Sequence, residues 1–324
     1  MSLSIEAIRA AADRIRGRAV RTPLLESRAL GALTGARVFV KPEVLQRTGS
    51  FKFRGAMSRM TLLTADERRR GVIAFSSGNH AQGVAAAAHD LGTSAVIVMP
   101  ADAPRLKLDN TRALGGEIVL YDRYTQDRAA IGRKLAEERG LVLVPPYDDH
   151  NIMAGQGTIG LEVAEDAAAL GVALDAVLTP CSGGGLAAGI STAIAALSPR
   201  TKIYGVEPQA FDDTARSIAA GERLENGPGA KSICDALLVQ KPGELTFPIN
   251  RRLLAGVLTV SDDQALSAMA AAFKELKLVV EPGGAVGLAA LLSNRLDVKG
   301  KSVAIVLSGG NVDAEMFSRA LAFK

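Results

Sequence analysis

Residues 176–189 read AVLTPCSGGGLAAG: a short β-type apolar run, a polar and glycine-rich turn, and then an Ala- and Leu-rich helical run continuing to residue 197. A strand that is apolar at successive positions, and not only at alternate ones, is buried on both faces. A turn that leads straight from it into a helix makes the pair half of a strand–helix–strand unit. The same pattern recurs along the chain. Short β-rich runs fall at 36–40, 71–75, 95–99, 117–121, 141–144, 176–179, 202–206, 256–260 and 302–307, and helical patterns such as 79–91, 126–139 and 262–276 separate most of them. The expectation is an α/β fold, with parallel-type sheets covered by helices.

Composition narrows the rest. The chain has 324 residues, and against roughly 100–200 residues per domain this suggests two domains. No internal repeat and no low-complexity linker separates them, so the boundary must come from excursions of the chain. With 48% hydrophobic residues and 38 Lys and Arg against 34 Asp and Glu, intrinsic disorder is excluded. Cys181 and Cys234 cannot build a disulfide framework and are not spaced as a metal site. The longest apolar run, near 283–292, is about half of what a membrane helix needs. The N-terminus scatters charges through an amphipathic pattern with no apolar signal core. These features predict a cytoplasmic protein with no membrane partner. The net charge of +4 invites a nucleic-acid reading, but the basic residues are spread out, and Arg68, Arg69 and Arg70 follow Asp66 and Glu67 as on a solvated helix face. With no Trp, nine Phe and four Tyr, stacking platforms are scarce, so no nucleic-acid partner is expected.

In parallel sheets, sites form at the carboxyl ends of strands. The polar or glycine-rich clusters at those positions are SSGNH (76–80), CSGGG (181–185), EP (207–208), VSDD (260–263) and SGGN (308–311), with GSFKFRG (49–55) opening another helical pattern. Three consecutive glycines before a helix let backbone N–H groups converge on an anion, whereas a tight turn alone needs only one. Residues 183–185 therefore read as a phosphate cradle. Gly183, Gly185 and Gly189 with Glu207 give a loose dinucleotide fingerprint, which keeps an NAD-dependent oxidoreductase as an alternative. GQGTIG at 155–160 follows no strand and is set aside, and no glycine loop ends in the Lys-Ser/Thr of a nucleotide P-loop. Pro180-Cys181 lacks the second cysteine of a zinc deaminase, and His80, His89 and His150 are not spaced for a zinc helix.

Lys52 stands between Phe51 and Phe53. Apolar flanks favour the neutral amine, which can condense with an aldehyde. Alone, such a lysine reads as one that snorkels to the surface. Beside a phosphate cradle it reads differently, because pyridoxal phosphate needs both a lysine for its aldehyde and a pocket for its phosphate.

The ordered set GSFKFRGA (49–56), SSGNHAQG (76–83), SGGGLAAG (182–189), EPGGAVG (281–287) and LSGGNVD (307–313) resembles the fold-type II pyridoxal-phosphate enzymes, the fold of the tryptophan synthase β-subunit. Within them it is similar to the serine/threonine dehydratase and serine racemase branch, over roughly residues 5–315. The resemblance is to the short, catabolic type without a C-terminal regulatory extension. It implies that Lys52 holds the cofactor and removes the substrate α-proton, that Phe51 packs on the ring, and that Asn79 bonds the ring hydroxyl. Gly183, Gly184, Gly185 and Leu186 would bind the phosphate, and Ser308 would face the ring nitrogen. A hydroxyl there favours a protonated ring less than a carboxylate would, which suits elimination.

Ser77, Gly78, Asn79 and His80 resemble the family's substrate-carboxylate cradle, and Ser77 resembles the acid–base serine of the racemases. Arg128 falls where some members place an arginine for a second substrate carboxylate. Glu207, Phe211 and Asp213 resemble a divalent-cation site of oxygen ligands, fitting Mg2+ or calcium. Ala236 stands where relatives often have glycine. The activity implied is dehydration and deamination of L-threonine or L-serine to a 2-oxo acid and ammonia. A threo-3-hydroxyaspartate dehydratase and a serine racemase are the alternatives within the class. A small domain of residues 66–149 would be inserted into a large one of 1–65 and 150–324, in a homodimer whose partner molecule is a small amino-acid substrate.

Overall fold

The computed structural model describes residues 3–76, 78–103, 105–122 and 125–323. Among the described residues the ten strands are β1 (Leu25–Ser27), β2 (Arg37–Pro42), β3 (Val72–Phe75), β4 (Ala95–Pro100), β5 (Gly116–Tyr121), β6 (Val142–Leu143), β7 (Ala176–Pro180), β8 (Lys202–Pro208), β9 (Gly256–Val260) and β10 (Ser302–Leu307). Six form one sheet in the order β1-β2-β10-β7-β8-β9, and four form a second in the order β5-β4-β3-β6. Every pairing is parallel except β1 with β2. β1 is the one strand the sequence pattern does not predict. Three residues are too few to show a period, and antiparallel pairing on the β2 edge holds them in place.

The double burial read from the apolar runs is visible strand by strand. Val38, Val40, Leu178, Val303, Ile305 and Leu307 point into one cluster with Val286, Leu288 and Ala289 of the helix Pro282–Leu292. Their alternates, Phe39, Val177, Ala304 and Val306, meet Ile159 and Val163 of the helix His150–Ala169 and Ile190 and Ile194 of the helix Gly185–Leu197. A period of two thus sends successive side chains to opposite faces, and both faces are apolar because both are covered. In the smaller sheet Val72, Ala74, Ile97 and Met99 face the helix Asn79–Leu91, while Ile73, Val96 and Val98 face Ile131 and Leu135 of the helix Arg128–Arg139.

The helix Lys52–Met60 sits where the two cores meet. Phe51 packs against the cluster of the larger sheet, whereas Phe53, Met57 and Met60 are buried in that of the smaller one. Lys52 is held between the two by its neighbours. A buried ionic cluster fixes the same helix from below. Arg54 gives Nε and Nη2 to the Glu43 carboxylate at 2.8 and 2.9 Å and Nη1 to Glu162 Oε1 at 2.6 Å, while Lys41 Nζ donates to Glu162 Oε2 at 2.6 Å. Two cations and two anions balance one another in a dry setting, where removing one partner typically costs about 3–5 kcal/mol. Among the described residues, no helix is long and apolar enough to cross a membrane.

Candidate active site

The carboxyl ends of β3, β7 and β10 and the start of the Lys52 helix open onto one cavity of about 620 Å³. It is lined by Phe51, Lys52, Gly78, Asn79, His80, Arg128, Gly183, Gly184, Gly185, Leu186, Phe211 and Ser308, so residues read from six separate stretches of sequence converge there. Ser77 lies outside the described residues.

At one end is the glycine loop. Gly184 caps the helix Gly185–Leu197 with φ +89°, a conformation that side chains disfavour. At Gly183 a Cβ would lie about 2.5 Å from the Tyr147 ring. The loop's carbonyls are tied from behind. Thr246 Oγ1 donates to Gly183 O at 2.6 Å and Asn250 Nδ2 to Gly184 O at 3.0 Å, both from the helix Thr246–Leu253. Asp148 in turn accepts the N–H groups of Glu244, Leu245 and Thr246 at that helix's start. With these carbonyls turned outward, the loop is oriented for an anion at a helix N-terminus, where main-chain donors and the helix dipole act together.

At the other end is the Lys52 amine. It donates to Pro146 O at 2.8 Å and lies 5.1 Å from the Phe51 ring centroid. Burial lowers its pKa to about 8, against the opposing pull of Glu281, so a substantial neutral fraction exists near physiological pH. Asn79 opens its helix beside the amine, with Nδ2 2.5 Å from Glu281 Oε1 and Oδ1 accepting from Asn311 Nδ2 at 2.8 Å. Ser308 follows β10, and its carbonyl accepts the Phe51 N–H at 3.0 Å, which ties the β10 loop to the Lys52 turn.

His80 lines the cavity but spends its Nε2 on Val144 O at 2.9 Å. Burial and the nearby Lys52 lower its pKa to about 3, so the ring is neutral at physiological pH. Lys107, from the helix Arg105–Ala113, pairs with Asp235, and Asp235 and Glu281 hold its ammonium above the ordinary value although burial opposes them. Arg128 begins its helix with the guanidinium 5.9 Å from the Phe75 ring centroid.

Glu207 and Asp213 do not reach this cavity's lining, although Phe211 does. Glu207 is fully buried and accepts the N–H groups of Thr214 and Ala215 at 3.2 and 3.1 Å, capping the helix Asp213–Ala220. Burial and the charge of Asp213 raise its pKa to about 8. Asp213 is itself raised to about 6 by burial; Oδ1 accepts from Asn226 Nδ2 at 2.8 Å, and Oδ2 is buried with no partner. Among the described residues no group of three or more His, Cys, Asp and Glu gathers as a metal cluster.

The same geometry removes the dinucleotide alternative. Glu207, the expected ribose acid, does not line the cavity and instead caps a helix. Gly189 lies inside its helix, where a Cβ would be 2.5 Å from Met153 O and 2.6 Å from Gly157 N; its place is to let two helices cross closely. Sequence reasoning missed Tyr147, Lys107, Asp235, Thr246 and Asn250. Each sits in a segment without local signal and gains its place only through contacts distant in sequence.

The residues present fit pyridoxal phosphate. The amine lowered to about 8 and the glycine loop, where neither Gly183 nor Gly184 has room for a Cβ, line one cavity. A sequence profile of the family described as "Pyridoxal-phosphate dependent enzyme" matches residues 15–309. An L-threo-3-hydroxyaspartate ammonia-lyase from Pseudomonas sp is 46% identical over 311 residues, which are 96% of each chain. Among solved structures, a threonine deaminase from T.th. is 46% identical with a TM-score of 0.90, over 96% of this chain and 99% of that one. Maize serine racemase is 36% identical with a TM-score of 0.93, over 99% of this chain and 97% of that one.

Proposed function

The chain belongs to the pyridoxal-phosphate dependent enzyme family, of fold type II, and from that membership we propose an ammonia-lyase that removes water and ammonia from a β-hydroxy amino acid. The observation that carries this is the Lys52 amine, lowered to about 8, in one cavity with an anion cradle whose carbonyls are locked outward. When bound, pyridoxal phosphate supplies an electron sink for the substrate α-carbon. In this reading Lys52 holds the cofactor and then, as a neutral amine, takes the α-proton. Phe51 covers one face of the ring, Asn79 meets the ring hydroxyl, Ser308 the ring nitrogen, and Gly183 to Leu186 give N–H groups to the phosphate. The substrate carboxylate falls to the main-chain N–H groups of Asn79 and His80, since the His80 ring and the Gly78 N–H, which donates to Ser76 Oγ, are already committed. The α C–H and β C–O bonds break, the hydroxyl leaves as water, and the released enamine takes up water to give a 2-oxo acid and ammonia.

L-Threonine and L-serine are substrates of the right class. Arg128 in the cavity lining, and the Pseudomonas relative named above, favour a 3-hydroxyaspartate, whose second carboxylate an arginine can hold through paired hydrogen bonds. Racemisation is the second reading within the class; it rests on Ser77 at the sequence level. We read residues 66–149 as the smaller, gating unit, with the Phe53 side of the Lys52 helix as its floor. Glu207, Asp213 and the Phe211 carbonyl are an oxygen set for a divalent cation such as Mg2+, supported by the unpartnered Asp213 Oδ2 and the two raised carboxyl groups.

The test is spectroscopic first. The purified protein with pyridoxal phosphate is expected to absorb in the visible, and Lys52→Ala to lose that band along with all oxo-acid production. Serine, threonine and hydroxyaspartate isomers, scored separately for oxo acid and for inverted amino acid, then rank the substrates. A protein that remains colourless after incubation with the cofactor overturns the reading.

A further inference from the structure

Glu281 is nearly fully buried at 1% exposed, and the function proposed above gives it no task. It stands at the N-cap of the helix Pro282–Leu292, where a carboxylate ordinarily accepts the first-turn N–H groups, yet its side chain makes no such bond. It turns instead toward the cavity, where Oε1 accepts from Asn79 Nδ2 at 2.5 Å and Oε2 is buried without a partner. Gly309 makes room for it, since a Cβ there would overlap Oε1. On the far side, Asn311 Nδ2 donates to Asn79 Oδ1 and to Thr48 O, each at 2.8 Å. The Asn79 amide is therefore held at both ends. A flip would set its N–H groups against the Asn311 N–H and its carbonyl against the Glu281 carboxylate, losing both bonds at once.

The charged groups facing Glu281 are Lys52 on one helix, Lys107 on another and Asp235 on the 3-10 turn Asp235–Leu237. Burial and Asp235 push its pKa up to about 7, while Lys107, the Asn79 bond and Lys52 pull it down. Oε1 is the acceptor for Asn79 and Oε2 makes no hydrogen bond, so a proton taken up at Oε2 would leave the lock in place.

We propose that Glu281, with Asn311, is the positioning residue that locks the Asn79 amide and leaves one Nδ2 hydrogen committed to the ring-hydroxyl end of pyridoxal phosphate. The assignment rests on the reading of Lys52 and Asn79 given above, and goes beyond it by naming what sets the orientation of the amide. It makes the β10 loop and the start of the Pro282 helix parts of the cofactor's support, though neither need touch the cofactor.

The experiment compares the holoenzyme with Glu281→Gln, Glu281→Leu and Asn311→Leu. It reads the visible absorbance of bound cofactor, the cofactor Kd by titration, and the thermal midpoint of each protein without cofactor. Glutamine keeps an acceptor at Oε1 and places its amide N–H groups where Oε2 has no partner. Glu281→Gln is therefore expected to keep the wild-type band and a Kd within about threefold, the scale of losing less than one hydrogen bond. Glu281→Leu and Asn311→Leu are each expected to shift the band and to raise the Kd about tenfold. Should Glu281→Leu not fold, Asn311→Leu carries the same test from the other side of the amide. The assignment is overturned if Glu281→Gln loses as much affinity as Asn311→Leu, or if Asn311→Leu leaves both band and Kd unchanged. A wild-type protein with no visible band overturns the underlying reading and this assignment with it, whereas a normal band that ignores all three substitutions overturns this assignment alone.

Discussion

Where β7 of the larger sheet ends, the cavity wall is main chain, whereas after β4 and β5 of the smaller sheet it carries long side chains. On the first, Gly183 and Gly184 lie so close to Tyr147, Thr246 and Asn250 that no side chain fits, and two carbonyls are bonded from behind. On the second, Lys107 and Arg128 project from helices that follow β4 and β5. A cradle of N–H groups fixed by its own scaffold suits one anion shape and cannot adjust. A guanidinium or ammonium on a flexible stem can exchange partners, so selectivity among substrates belongs on that side. The proposed division gives the phosphate to the first wall and the choice of amino acid to the second.

The strongest way to break this comparison is to give the first wall a side chain. In Gly184→Ala the new Cβ would meet Asn250 Nδ2 at 2.5 Å and Thr246 Oγ1 at 2.8 Å, at φ +89°. The expected result is a loss of pyridoxal-phosphate affinity of about a hundredfold, near 2.7 kcal/mol, with much less change for pyridoxal lacking the phosphate. Titration of the two compounds in parallel checks it, and equal losses would show that the loop does not serve the phosphate. The second wall is probed by Arg128→Ala. Its kcat/KM for 3-hydroxyaspartate is expected to fall about thirtyfold while that for serine stays within about threefold, the scale of one charge-assisted carboxylate contact. Loss in equal proportion on both substrates would remove Arg128 from the selectivity argument.

The smallest effect is expected beside the first wall, at the end of β8. Unfolded Glu207 ionises at an ordinary carboxylate value, but in the folded chain it keeps its proton up to about 8. The folded state therefore binds more protons through that window, and stability falls as pH rises from the ordinary value to about 8. Glu207→Gln removes the titration, at the cost of one of the two caps, since its amide nitrogen cannot accept the second helix N–H. It is expected to shrink the drop in Tm between pH 6 and pH 8.5 by about 2–4 °C. Millimolar Mg2+ or Ca2+ is expected to raise the wild-type Tm at the higher pH and to leave the variant unmoved. A wild-type Tm indifferent to both cations would reduce the acid pair to a helix cap.

Much of this arrangement is legible in the chain. The β-type runs locate nine of the ten strands, and successive apolar positions announce the doubly covered sheets, because burial on two faces leaves no polar alternate. Lys52 stands out because its apolar neighbours are the side chains of two different cores. The helical pattern 262–276 is recovered as the helix Asp262–Ala271, but its last turn widens into a π-helix at Ala272–Leu276, which local periodicity does not foresee. The acids are where sequence reading misleads. Glu207 sits where a ribose acid belongs and turns out to cap a helix, while Glu281, given no separate task by the sequence, turns out to face the cavity.

The sequence by itself determined the α/β class, the strand-end clusters, the lysine and the glycine loop, because apolar period, glycine runs and flanking residues act over a few positions. Tertiary structure alone decided which polar groups are already satisfied. Asn79 and Glu281 are 202 residues apart, and Thr246 reaches the Gly183 carbonyl from 63 residues away. A polar side chain is free for a ligand only if no other part of the fold has claimed it, and that depends on contacts that no local pattern encodes.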